Sequence, residues 1–283
     1  MENIKVLWMN NGEEATIPYV AAALDYHIQI ETYKTWAICR DVLSRNSTQN
    51  KNVFEAIILN AHCKTLDNQV PNVLNLGLAI KWLERNCKRL PYYVVNTNKA
   101  LGKADSKLLK ISLGSKNKCY SLKEPINELF ECIYDEVINL PHRKYEKEIA
   151  ICREQERESL LSLLWKIRQD SKDLECDHTI PNECRKVIEG IRNNFNDGVI
   201  NIPSIFQPVP ALDSFSTSIG SAKEGIPEYI KRSFHTCCRV SQEGSHILET
   251  DKLIKEGKAP FLTRTLIFDL LNILNWLYDI NKR

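Results

Sequence analysis

Across its first 140 residues the chain switches repeatedly between short, nearly continuous apolar runs and segments of helical period, and this alternation narrows the fold more than any single motif. The runs are IKVLWM at 4–9, residues 28–32, FEAIILN at 54–60, PYYVV at 91–95 and KCYSL at 118–122. Between and after them, residues 15–25, 35–45, 74–87, 104–111 and 125–139 space their apolar positions as helices do. Pro125 fits a first helical turn, where a missing N–H costs nothing. Strands buried on both faces read as unbroken apolar runs, and regular βα alternation builds a parallel sheet clad in helices. The expectation is a doubly wound, five-stranded parallel sheet over residues 1–140, the α/β half of an α/β plus all-α chain.

Residues 141–283 lack strand-like runs and read as a helical bundle. Residues 144–170 form one long connecting helix, charged in KYEKEIAICREQERE and apolar in SLLSLLWKIRQ, with pairs such as Glu154 and Arg157 supporting its exposed part. A second helix at 182–195 ends at the turn signal Asn196-Asp197-Gly198. Residues 199–220, with Pro203, Pro208 and Pro210, show no helical period, and two readings stand: a binding or covering loop, or a poorly ordered excursion. A helix at 227–239, a polar turn SQEGSH at 241–246 and a last helix at 260–280 complete the chain. The last helix confines Thr265, Asp269, Asn272, Asn275 and Asp279 to one stripe, so the rest of its surface needs burial, in the bundle or at a subunit contact.

Charge and cysteine content exclude several classes. The 38 Lys and Arg nearly balance 36 Asp and Glu, and the halves carry 17 against 15 and 21 against 21. Neither half has the basic excess that drives sequence-independent binding to nucleic acid. The N-terminus lacks a secretory signal and no segment has the roughly 18 apolar residues of a membrane span, so a cytoplasmic protein is expected. Ten cysteines without a CxxC pair are read as reduced core residues. Cys176, His178 and Cys184, with His235, Cys237 and Cys238, are the nearest approach to a metal cluster, and their spacing matches no zinc module, so no metal or cofactor is expected. Phosphate-binding glycine loops, GxSxG and HExxH are absent.

At the ends of the predicted strands stand amides. VLWMNN ends in Asn10 and Asn11, FEAIILN in Asn60, and PYYVVNT in Asn96 and Thr97, while SLKEP carries Lys123 and Glu124. In order and spacing, residues 3–139 resemble the receiver domain of response regulators, which implies a flavodoxin-like fold. A phosphorylatable receiver has an acidic pair where Asn10 and Asn11 stand, an aspartate in place of Asn60, a hydroxyl residue at Asn96 or Thr97, and a lysine just after Lys123, at Glu124. An amide has no oxyanion to attack phosphorus, and amides supply too little charge for magnesium. Two readings follow: a pseudo-receiver that recognises something through its surface or cleft, or a doubly wound domain whose asparagines hydrogen-bond their own loops.

The segment from Arg239 through VSQEGS to His246 resembles the C-terminal region of abortive-infection proteins of the HEPN class, over residues 225–280 and more weakly 145–195. The resemblance implies a helical domain of prokaryotic defence systems, and in active members a metal-independent ribonuclease with an R-x4-6-H motif, two copies meeting in a homodimer. Arg239 would then steady the scissile phosphate and His246 would exchange a proton during attack by the ribose 2′-hydroxyl. The plainer reading makes Arg239 a helix C-terminal cation and His246 a surface or capping residue. The combined expectation is a regulatory protein of stress or phage defence with a protein partner, forming a homodimer, without a membrane, and with RNA as the substrate in the enzyme version.

Overall fold

The computed structural model describes residues 3–12, 16–48, 53–97, 101–114, 119–122, 126–169, 172–246 and 248–282. The chain divides into two compact units, Met1–Leu140 and Pro141–Arg283.

In the first unit five strands, β1 (Ile4–Met9), β2 (Ile28–Tyr33), β3 (Ala56–Asn60), β4 (Tyr92–Asn96) and β5 (Cys119–Ser121), form one sheet in the order β2-β1-β3-β4-β5. All neighbouring pairs are parallel. The connecting helices are α1 (Ile17–Ala22), α2 (Trp36–Thr48), α3 (Val73–Asn86), α4 (Lys103–Leu113) and α5 (Asn127–Ile138), with a short 3-10 turn at Ala23–Tyr26. The central strands have no polar face because both faces are covered. Leu7, Met9, Ile57, Leu59 and Val94 pack with Trp36 and Leu43 of α2, Leu76 and Ile80 of α3, and Leu109 of α4. On the opposite face Tyr93 donates from its hydroxyl to Glu136 of α5 at 2.7 Å, and Tyr26 packs on Phe130 of α5. Asn72 caps α3 by accepting the Asn75 N–H at 2.8 Å, which sets where this helix begins.

The second unit is helical: α6 (Pro141–Lys144), α7 (Glu146–Ala150), α8 (Glu154–Gln169), α9 (Ile180–Asn196), α10 (Leu212–Ser221), α11 (Glu228–His246), α12 (Leu248–Lys255) and α13 (Leu262–Asn281). Its core includes an aromatic chain in which Phe234 meets Phe215 and Trp276 edge-on, with centroids at 5.6 and 6.4 Å.

Three expectations for this unit need correction. The single connecting helix expected over 144–170 is two helices, α7 and α8, with the short α6 ending where it was to begin. The break at 151–153 persists because side chains satisfy the carbonyls it exposes: Arg157 donates from Nε to Cys152 O at 2.8 Å, and Asn194 of α9 donates from Nδ2 to Ile151 O at 3.3 Å. The segment 199–220 is neither wholly irregular nor an unanchored excursion. Its second half is α10, and its first half is clamped by paired amide bonds. Asn196 bonds both the N–H and C=O of Val209 (2.8 and 2.9 Å), Asn281 both those of Asn201 (2.7 and 3.1 Å). The polar stretch 241–246 is not a turn but the end of α11. Ser241 is buried there, and its hydroxyl donates back to the carbonyls of Cys237 and Cys238, so it needs no solvent.

In α13, Thr265, Asn272, Asn275 and Asp279 are exposed as their stripe requires, and Asp269 is half-buried, accepting the Ser233 hydroxyl at 2.7 Å. Phe261 and Phe268 depart from the apolar set and lie exposed, 73% and 49% accessible. No helix among the described residues is long and apolar enough to cross a membrane.

Candidate functional site

The strand order reverses at β1. The chain leaves β1 toward β2 on one side, then returns to β3 on the other, so the loops after β1 and β3 part and leave a crevice at their carboxyl ends. Open α/β sheets bind ligands at such a switch point. In this chain Asn10, Asn11 and Asn60 meet there.

Asn10 follows β1 and is buried, 6% exposed. Its Nδ2 donates to Thr16 Oγ1 at 2.8 Å and its Oδ1 accepts the Gly12 N–H at 3.0 Å, an Asx turn that folds the loop over its own start. Asn11 has a left-handed backbone, φ +59°, a conformation asparagine tolerates better than most residues. Its side chain spans the crevice, donating from Nδ2 to His62 O at 2.7 Å and accepting from Lys64 N at 3.0 Å. One amide thus ties the loop after β1 to the loop after β3.

Asn60 ends β3 and is fully buried. The register that pairs Trp8 with Ile58 sends Trp8 and Asn60 to one face of the sheet, and the indole Nε1 donates to Asn60 Oδ1 at 3.1 Å. Asn60 Nδ2 finds no acceptor among the described residues, a shortfall that costs about 1–3 kcal/mol in a buried site. The orientations of all three amides are dictated by their partners, since Gly12 N–H, Lys64 N–H and the indole can only donate.

The oxygens of Asn10, Asn11 and Asn60 are therefore each committed to an N–H of the protein. A divalent cation of the magnesium type takes oxygen ligands, mostly charged ones. This crevice offers three neutral oxygens already occupied, so its residues do not fit such an ion. Nor is there an oxyanion at position 60 to act as nucleophile.

The other expected receiver positions are less tightly joined to this group. Asn96 ends β4, half-exposed, with its carbonyl accepting Leu122 N at 3.2 Å, and Thr97 follows, also half-exposed. Lys123 lies outside the described residues. Trp8, Thr16, His62 and Lys64 complete the crevice and were not singled out by sequence. The Asn-Gly pair at 11–12 is the one local signal there, a mark of left-handed backbone. His62 lies 3.7 Å from Asp105 across the rim.

In the helical unit Arg239 and His246 fall on the same helix, α11, seven positions apart. Seven residues are about two turns, roughly 10 Å of rise, so the two share a helix face. Arg239 is exposed, and the His246 side chain lies outside the description. The cysteine and histidine group disperses. Cys184, Cys237 and Cys238 are buried in the core, whereas Cys176, His178 and His235 are exposed. Burial pushes the Cys238 thiol up to about 12 and also raises those of Cys184 and Cys237, which opposes the thiolate a metal would need. Comparison with protein-family models, curated proteins and solved structures finds no match for the chain.

Proposed function

We propose that the sheet unit is a receiver-like, flavodoxin-type domain without phosphotransfer chemistry, and that the chain is a cytoplasmic regulatory protein of stress response or phage defence. In this reading it acts through protein contacts, as a homodimer, with the helical unit as a HEPN-like effector. The observation that supports it is the use of the three crevice amides. Asn10, Asn11 and Asn60 stand at the strand ends where a receiver concentrates carboxylates, and their oxygens accept from Gly12, Lys64 and Trp8 instead of facing a metal or phosphoryl group. A crevice stapled in this way holds one loop conformation and has no phosphate-dependent second state. Incubation with acetyl phosphate and magnesium followed by intact-mass measurement should leave the protein's mass unchanged. A phosphoryl adduct on the sheet unit would overturn the proposal.

A metal-independent ribonuclease using Arg239 and His246 is the second reading, favoured by one observation, their placement on a common face of α11 with Arg239 exposed. It predicts cleavage of total RNA to 2′,3′-cyclic phosphate ends, lost in both Arg239→Ala and His246→Ala. Identical RNA profiles from the native protein and the two variants would eliminate it.

A further inference from the structure

Charge in the sheet unit is segregated in a way that the count over the whole half conceals. Between Ala61 and Gly114 the sequence carries nine Lys and Arg against three Asp and Glu, +6 within a chain of net charge +2. Much of this charge borders a groove between α3 and α4. The floor is Gly77, where a Cβ would lie 3.0 Å from Ser112 Oγ, so the absence of a side chain allows the helices to approach. Leu74 and Leu78, one turn apart on α3, are 63% and 62% exposed on one rim, and Ile111 of α4 is 68% exposed on the other. Lys81 and Arg85 continue the leucine stripe toward the end of α3, Lys107 lies one turn before Ile111 on α4, and Lys110 precedes Ile111 in sequence. These four cations are exposed, and among the described residues none is ion-paired.

An apolar strip with a charged rim is the anatomy of a protein contact. A nucleic-acid backbone would satisfy the cations but would give Leu74, Leu78 and Ile111 nothing to bury against. A second copy meeting this face symmetrically would set cation against cation. A helix with apolar residues at i, i+3, i+4 and i+7 fills a groove between two helices, and carboxylates along its flanks would neutralise the border. We propose that the α3–α4 groove docks an acidic amphipathic helix of a protein partner. The inference rests on the contact reading above, but uses a different surface from the amide crevice.

The test is titration of the full chain with a synthetic helix of about five turns, leucine along one face and glutamate on the flanks. Two controls accompany it, the same composition with leucines scattered and the same pattern with lysine for glutamate. The acidic amphipathic helix should bind at least tenfold more tightly than either control. Leu78→Asp should weaken it tenfold or more, and Lys81→Glu with Lys107→Glu should reverse the preference toward the lysine peptide. All three positions are exposed, so the variants retain the fold. Absence of binding, or binding indifferent to these variants, would overturn the proposal. So would anionic vesicles or a single-stranded oligonucleotide binding more tightly than the peptide, or salt-sensitive self-association of the native chain that Leu78→Asp abolishes. Failure here leaves the acetyl phosphate result untouched, and a phosphoryl adduct there leaves the titration untouched, so the two failures are distinguishable.

Discussion

Asn11 combines a left-handed backbone with two side-chain hydrogen bonds that join different loops, and substitution can separate the two contributions. Glycine keeps the backbone conformation at no steric cost and removes both bonds, so Asn11→Gly should lower stability by about 1–3 kcal/mol. Asn11→Ala should lose about 1 kcal/mol more through backbone strain. Urea midpoints of the three proteins check both values, and a glycine variant as stable as the native chain would remove the staple from the account. The cysteines supply a second residue-scale prediction. Burial pushes the thiols of Cys63, Cys152 and Cys238 from 9.0 up to about 12. Raised folded values mean that these thiols favour the fold below the unfolded value, and that the contribution drains away as pH rises from about 9 toward 12. Urea stability should therefore fall between about pH 8 and pH 10.5, by of order 1–2 kcal/mol for each buried thiol, and substitution of all three by alanine should make that slope shallower, with the buried thiols of Cys39, Cys184 and Cys237 sustaining the rest. At pH 8 a thiol reagent should label exposed Cys176 well before these three. The presence of amides at the strand ends was legible in sequence. Their partners were not, because the Trp8 bond to Asn60 depends on the register of two strands about fifty residues apart.

Elements that form through their own periodicity were readable, whereas those terminated or extended by distant side chains were not. FEAIILN and PYYVV become β3 and β4 because an unbroken apolar run suits a strand covered on both faces. Residues 144–170 have continuous helical character, yet the chain breaks near Tyr145 and again at 151–153, with Asn194 supplying a donor to an exposed carbonyl from another helix. The polar letters of SQEGSH suggest a turn, yet α11 continues because Ser241 folds its hydroxyl back onto the preceding turn. The contact of α8 with α9 gives a sharper test. Gly190 lies mid-helix in α9, and a Cβ there would run into Glu156 Cγ of α8. Helix propensity alone favours alanine over glycine by about 1 kcal/mol, but overpacking costs about 1–3 kcal/mol, so Gly190→Ala should destabilise the protein. Adding Glu156→Ala should return most of the loss, and thermal unfolding of the single and double variants measures it. A stabilised single variant would show that the two helices separate freely.

On the scale of the whole molecule the two compact units meet in sequence at Leu140 and Pro141, each with buried residues of its own. Residues 1–140 and 141–283, produced separately, should each give a cooperative unfolding transition. Loss of cooperativity in either fragment would show that its core needs the other. The alternation of strands and helices, the helical character of the second half and the absence of carboxylates at positions 10, 11 and 60 could be read from the amino-acid sequence, because each is a property of residue type and local period. Tertiary contacts alone set the strand order β2-β1-β3-β4-β5 within that parallel sheet, the meeting of the amides with Trp8, Thr16 and Lys64, and the gathering of Leu74, Leu78 and Ile111 beside cations that have no ion pair among the described residues. Strand register and helix approach arise from contacts between residues far apart in sequence, and a local pattern of hydrophobicity carries no record of which distant partner completes a hydrogen bond or bounds a groove.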